Sequence, residues 1–174
     1  MDAAPSKALI LGGGETLWHD LAQVPDVTER TVIAINDSGV AYQNRIDWWV
    51  TLHPEKLPKW MAQRRGNQDY QTASHKDRRG SRVDHIIREI WSGSSGLYAA
   101  QIAVMHLDFD NVILCGIPMT PTGHFFDSDP WRHCQNYRRG WKDALPTLEG
   151  RVTSVSGWTR ELLGAPSHLG SAQP

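Results

Sequence analysis

Three short segments carry the residue types that hold an anion on main-chain and hydroxyl donors. Gly12-Gly13-Gly14, followed by Glu15 and Thr16, lets the backbone approach a phosphate closely because no side chain intervenes. Asn36-Asp37-Ser38 and Ser92-Gly93-Ser94-Ser95-Gly96 each stand before an apolar stretch with helical spacing, where free N–H groups and the helix dipole favour negative charge. Ser94, Ser95 and Gly96 add two hydroxyls suited to a phosphate or a ribose. The glycine run lacks the full GxGxxG spacing and the Lys-Ser/Thr of a P-loop, and three glycines also make an ordinary tight turn. Ser94 equally reads as a helix cap.

Two histidines, His124 and His133, lie in a polar stretch close to Asp127 and Asp129, and either can serve as a general base near neutral pH. The spacing of these four residues fits no firm metal-ligand pattern, so a solvated acidic loop is expected there and no metal site is assigned. The basic run Arg64, Arg65, His75, Lys76, Arg78, Arg79 and Arg82 reads as a solvated face in preference to a phosphate clamp.

The elements that must position these residues are short apolar strands alternating with helices. Strands are predicted over Lys7–Leu11, Thr31–Ile35, Trp48–Leu52, Asn111–Cys115 and Arg151–Val155, with an edge strand near Gln71–Ser74. Val83–Trp91 suits a strand or a short helix. Helices are predicted over Glu15–Gln23, Val40–Gln43, Glu55–Arg65, Leu97–Leu107 and His133–Leu145, with a helical turn over Trp158–Leu163. In the Leu97–Leu107 helix, Leu97, Ala100, Val104 and Leu107 share one face. Such alternation implies βαβ crossovers and a mostly parallel sheet, hence an α/β, Rossmann-like three-layer domain. In such sheets ligands bind outside the carboxyl ends of the strands, which is where all three donor segments fall.

With 174 residues, the chain suits one domain, expected over residues 1–165, with residues 166–174 fraying as a tail. A net charge of -1 supplies no field to gather duplex nucleic acid. No apolar run is long enough for a membrane span, and the first residues are polar, so a cytoplasmic protein is expected. Cys115 and Cys134 form neither a zinc pattern nor a disulfide framework and are expected reduced. Most of the eight tryptophans should be core, with a minority lining a pocket. A homo-oligomer is compatible with this composition.

Four segments, in order, resemble one family: Ala8–Leu17, Ile33–Asn36, the pair Ser94–Ala103 and Asn111–Ile117, and Val152–Ser156 ahead of Leu162-Leu163. They are similar to the small sialyltransferase-like and DUF115-like Rossmann proteins of bacteria, which include bacterial CMP-sialic acid transferases. The resemblance spans most of the chain outside residues 55–90. It implies a nucleotide pocket built from Gly12 to Thr16, from Asn36 with Asp37 beside it, and from Ser94 to Gly96. A CMP-type nucleotide or nucleotide sugar is the favoured ligand, and no further cofactor is implied. It also implies a histidine base ahead of the helix that precedes the last strand, a place that His133 takes, and no essential metal; His124 stays the second candidate from its place in the polar stretch. The expected function is that of a glycosyltransferase-like enzyme.

Two alternatives use the same pocket. Some DUF115-like proteins resemble a pterin diphosphokinase, which would move pyrophosphate from ATP with magnesium held by Asp37, Asp127 or Asp129. A nucleotide-binding module without chemistry is the other. Small proteins of this layout also resemble products of bacteriophage genomes.

Overall fold

The aliphatic and β-branched runs form seven strands in a computed structural model that describes residues 6–170. They are β1 (Lys7–Leu11), β2 (Thr31–Ile35), β3 (Trp48–Thr51), β4 (Gln71–Ser74), β5 (His85–Ile86), β6 (Asn111–Cys115) and β7 (Val152–Ser154). Every adjacent pair is parallel, in the order β5-β4-β3-β2-β1-β6-β7. The chain winds outward from β1 to β5, then returns to the other side of β1 with β6. The gap above β1 and β6 is therefore the switch point of a doubly wound sheet.

Alternation along the central strands divides the core in two, because successive side chains point to opposite faces. Ala8 and Ile10 pack with Leu97, Ile102, Trp141 and Leu148 on one face; Leu9 and Leu11 pack with Leu17, Trp49, Leu57 and Trp60 on the other. The first face is covered by α4 (Ser95–Met105), α5 (Cys134–Leu148) and α6 (Gly157–Leu163), and the second by α1 (Leu17–Ala22), α2 (Ser38–Ala41) and α3 (Leu57–Gln63). The result is the three-layer, Rossmann-like α/β arrangement, with the sheet parallel throughout.

Several elements differ from their sequence signals. In α4 all eight residues from Leu97 to Val104 are buried, not one stripe. The segment after β5 covers its outer side: Tyr98 Oη donates to the Ile87 carbonyl at 2.8 Å and Gln101 Nε2 to that of Glu89 at 3.2 Å. β4 is not an edge strand, since the two-residue β5 lies outside it. A loop replaces the crossover helix between them, and the Asp84 carboxylate fixes it by accepting from the Thr72 N–H and hydroxyl, both at 2.8 Å.

Arg64 is not part of a basic surface. It is 4% exposed, and its guanidinium donates to the carbonyls of Gly39, Tyr42, Asn44 and Asn67, closing the α2 loop onto α3. The chain end beyond Ala165 is packed as far as it is described. Pro166 is buried, Leu169 packs on the Leu9 face of the core, and His168 Nε2 lies 2.8 Å from the Gln23 carbonyl. The remainder of the expected tail, residues 171–174, lies outside the described residues. No described helix is long and apolar enough to cross a membrane.

Candidate functional site

A cleft of about 280 Å³ opens at the switch point, lined by the loops that follow β1, β2, β3 and β6 and by the start of α4. Hydrogen-bond accounting separates the three glycines of its floor. A Cβ on Gly12 would overlap Ile117 and the Gly116 carbonyl, and one on Gly14 would lie 2.7 Å from Pro118 Cδ. Their N–H groups are also used, Gly12 on the Cys115 carbonyl and Gly14 on that of Gly116, both at 2.8 Å. These two glycines let the β1 and β6 loops touch. Gly13 differs: a Cβ there meets only ordinary contacts with His124 and Phe126, and its N–H has no partner among the described residues. The glycine run thus offers one free donor to a ligand, not three.

The amino end of α4 supplies the others. Ser94 caps it, accepting from the Leu97 N–H at 3.3 Å, as its spacing suggests. Among the described residues the N–H groups of Ser95 and Gly96 and the Ser95 hydroxyl have no partner, and both residues line the cleft. The helix dipole adds partial positive charge at that point.

On the β2–β3 side, the interior fixes the polar residues. Asn36 holds a left-handed conformation, φ 51°, which is uncommon for a residue with a side chain and needs support. The indole of the fully buried Trp49 donates to the Asn36 carbonyl at 2.9 Å, and the Thr51 hydroxyl donates to Asn36 Oδ1 at 2.7 Å. This leaves Asn36 Nδ2 free of protein partners among the described residues. Trp60 Nε1 donates to Asp37 Oδ1 at 3.1 Å, which aims the carboxylate from beneath. His53, at the end of β3, is half-exposed and has Nδ1 3.6 Å from the Glu55 carboxylate.

The opposite wall is aromatic. His124 stacks on Phe126 at 5.0 Å between centroids and lies 5.7 Å from Trp131, which stacks on Tyr137 at 5.7 Å. The tight turn that carries His124 is fastened to the glycine loop: Phe125 N–H donates to the Gly13 carbonyl at 3.0 Å and Glu15 N–H to that of Gly123 at 3.1 Å. Gly123 is required there, since a Cβ would sit 2.7 Å from the Asp127 carbonyl.

The structure brings Gly12, Gly13, Gly14, Asn36, Asp37, Ser94, Ser95, Gly96 and His124 to one cleft. It does not bring His133 there. That residue is exposed at the start of α5, outside the cleft lining, because the helix begins at Cys134 and turns His133 to solvent. Glu15 is exposed and Thr16 faces away from the cleft into a polar knot. In that knot the buried Asp20 Oδ2 accepts from the Thr16 and Ser156 hydroxyls at 2.9 and 2.7 Å and from the Gly116 N–H at 2.9 Å. Asp20 thereby ties the loops after β1, β6 and β7 together. Burial, reinforced by the Asp20 charge, pushes the nearby Cys115 thiol far above its ordinary range, so it is held as an inert thiol.

Sequence reasoning missed His53, Thr120, Thr122, Phe126, Trp131 and Tyr137 as lining residues. The cluster of Phe125, Phe126 and Trp131 within a stretch otherwise polar was the available signal. Of the three carboxylates considered for magnesium, only Asp37 lines the cleft. Among the described residues no three His, Cys, Asp or Glu side chains group closely enough to share a metal ion. No protein-family profile, curated protein or solved structure matches the chain.

Proposed function

We propose that this cleft binds a phosphorylated nucleoside, a nucleotide or nucleotide sugar, and that the protein is a glycosyltransferase-like enzyme with His124 as its base. The observation that carries the reading is the set of unpaired donors of Gly13, Ser95 and Gly96 at the switch point of a doubly wound sheet. A phosphate satisfies them together, at the place where such sheets take their ligands. The resemblance to the sialyltransferase-like proteins supports a CMP-type ligand. His124 replaces His133 in this role because it lines the cleft and its ring nitrogens have no protein partner among the described residues. A base must reach the proton that it removes.

The test is a thermal-shift panel of CMP, CDP, UDP, GDP, ADP, ATP and CMP-sialic acid, with and without magnesium. A ligand at about a hundred times its Kd stabilises the fold by about 2.7 kcal/mol. In a chain of this size that raises Tm by roughly 5–10 °C. A shift with a cytidine nucleotide, independent of magnesium, is expected. A shift with ATP and magnesium alone would favour pyrophosphate transfer with Asp37 near the metal, and no shift would overturn nucleotide binding. In a donor-turnover assay His124→Ala should lose activity and retain affinity, whereas His133→Ala should change neither.

A further inference from the structure

Charge is spread unevenly over the molecule. The chain carries 18 Lys and Arg against 19 Asp and Glu, yet residues 55–90 hold nine of the former and five of the latter. Four of those five acids are already engaged: Asp84 accepts from Thr72, Asp77 from Ser81 and the Arg78 N–H, Asp69 from Asn67, and Glu55 lies beside His53. Among the described residues Lys59, Arg65, Lys76, Arg78, Arg79 and Arg82 form no ion pair, whereas Lys7, Arg30 and Arg151 elsewhere do. Lys76 is half-buried and the other five are exposed.

These cations flank one groove. It has a volume of about 330 Å³ and lies between α3, which contributes Pro58, Met61 and Ala62, and the loop that joins β4 to β5, which contributes Gly80, Ser81 and Arg82. Side chains fasten that loop. The Arg78 N–H donates to Ser81 Oγ at 2.9 Å, and Thr72 Oγ1 lies 2.9 Å from the carbonyl of Arg82, whose backbone takes a left-handed φ of 51°. The loop also adjoins the cleft. Glu55 is held below the usual carboxylate range first by its own backbone N–H and then by the charges of His53, which lines the cleft, and of Arg78.

We propose that this edge is a docking surface for single-stranded nucleic acid. Unpaired cations along a groove neutralise successive phosphates, and guanidinium planes stack on unpaired bases. A duplex keeps its base faces inside its own stack, and the overall charge of -1 supplies no long-range field to gather one. The neighbouring cleft, with its unpaired N–H donors and ring faces, suits a nucleotide of the same strand. That last point, which favours nucleic acid over another polyanion, rests on the nucleotide-binding reading; the cations and the groove do not.

Fluorescence anisotropy of the full chain with a labelled oligothymidylate of about 12 nucleotides tests the assignment. Affinity should fall as salt rises from about 50 to 200 mM, with a log–log slope of about -0.7 per phosphate neutralised. The double variant Arg78→Glu, Arg79→Glu should weaken the oligonucleotide by about tenfold or more and flatten that slope. Lys142→Glu, an equally exposed charge reversal on α5, should leave both nearly unchanged. Both arginines are exposed, so the double variant should melt as the wild type does. No binding at low salt, or binding that the double variant retains in full, overturns the proposal. Equal affinity for the matched duplex or for inorganic polyphosphate would make the edge a general polyanion patch, and binding of phosphatidylserine vesicles in place of the oligonucleotide would make its partner a membrane. Either result overturns the single-strand assignment. A CMP thermal shift measured alongside keeps the two readings apart: its absence in a wild type that still binds the oligonucleotide removes the cleft's nucleotide reading and leaves the docking edge standing.

Discussion

At the amino ends of β1 and β6 one buried guanidinium takes up the polar groups that, at the carboxyl ends of the same strands, are left to a cleft. Arg30, 4% exposed, donates through Nη1 to the Ala8 carbonyl at 3.2 Å and to Asn111 Oδ1 at 2.8 Å, bridging the two strands. Its Nε and Nη2 grip the Asp26 carboxylate at 2.8 and 3.2 Å, and Lys7 reaches the same carboxylate at 2.9 Å. At the other end Asp20 performs a similar tie between loops, yet the N–H groups of Gly13, Ser95 and Gly96 stay unpaired. One end is closed by charge-assisted hydrogen bonds and serves stability. The other leaves its donors to water or ligand, and binding capacity is what remains when a fold does not satisfy itself.

The largest expected effect breaks the closed end. Arg30→Met leaves the Asp26 carboxylate to Lys7 alone and removes the bridge between β1 and β6, at a cost of about 2–4 kcal/mol. In a chain of this size that lowers Tm by roughly 10 °C. Nucleotide affinity of the folded fraction should be unchanged, and a cost below about 1 kcal/mol on chemical denaturation would mean that this end is not a seal.

A pair of glycine substitutions then sharpens the contrast within the open end. Gly12→Ala drives a methyl into Ile117 and the Gly116 carbonyl and should cost about 1–3 kcal/mol. Gly13→Ala, with its Cβ in ordinary contact 3.4 Å from the His124 ring, should change stability by no more than about 0.5 kcal/mol. It should weaken phosphate binding, because the methyl stands beside the unpaired Gly13 N–H, where the proposed ligand would approach. Equal losses of stability from both would assign the whole glycine run to packing.

The smallest effect is read from pH. Burial of the Asp26 carboxyl works to raise its pKa, but hydrogen bonds and charge from Arg30 and Lys7 outweigh it and hold the group at about 2, below the ordinary 3.8. The unfolded chain then binds the proton more readily, so the contribution is fully present above the ordinary value and is lost as pH falls toward 2. We expect an acid limb of about 1–2 kcal/mol that Asp26→Asn flattens, followed by urea denaturation between pH 5 and 2. An unchanged limb in the variant would assign the acid sensitivity to other carboxylates.

The sequence by itself determined every strand but β5, where periodicity left strand and helix open, together with the donor segments, because both rest on local signals. Continuous apolar runs such as Lys7–Leu11 and Asn111–Cys115 lie within a residue of their predicted limits, and Ser94 caps the helix that its spacing announces. Gly13, Asn36 and Ser95 were legible as lining residues because loops at the carboxyl ends of parallel strands share one edge of the sheet. Only the tertiary structure decided which member of each local group faces the cleft. Gly12 and Gly14 are spent on the loop beyond β6, about a hundred residues away, which the glycine run does not announce. His124 and His133 look alike in sequence, and they part because one rides a turn pinned to Gly13 while the other precedes a helix that turns it to solvent. Asp20 sits on a short surface helix, and only the arrival of Gly116, 96 residues on, and Ser156, 136 residues on, makes it a buried tie. The physical reason is common to all of these: periodicity and capping act within a turn or two of chain, whereas hydrogen-bond satisfaction and burial are settled by partners that only the fold brings near.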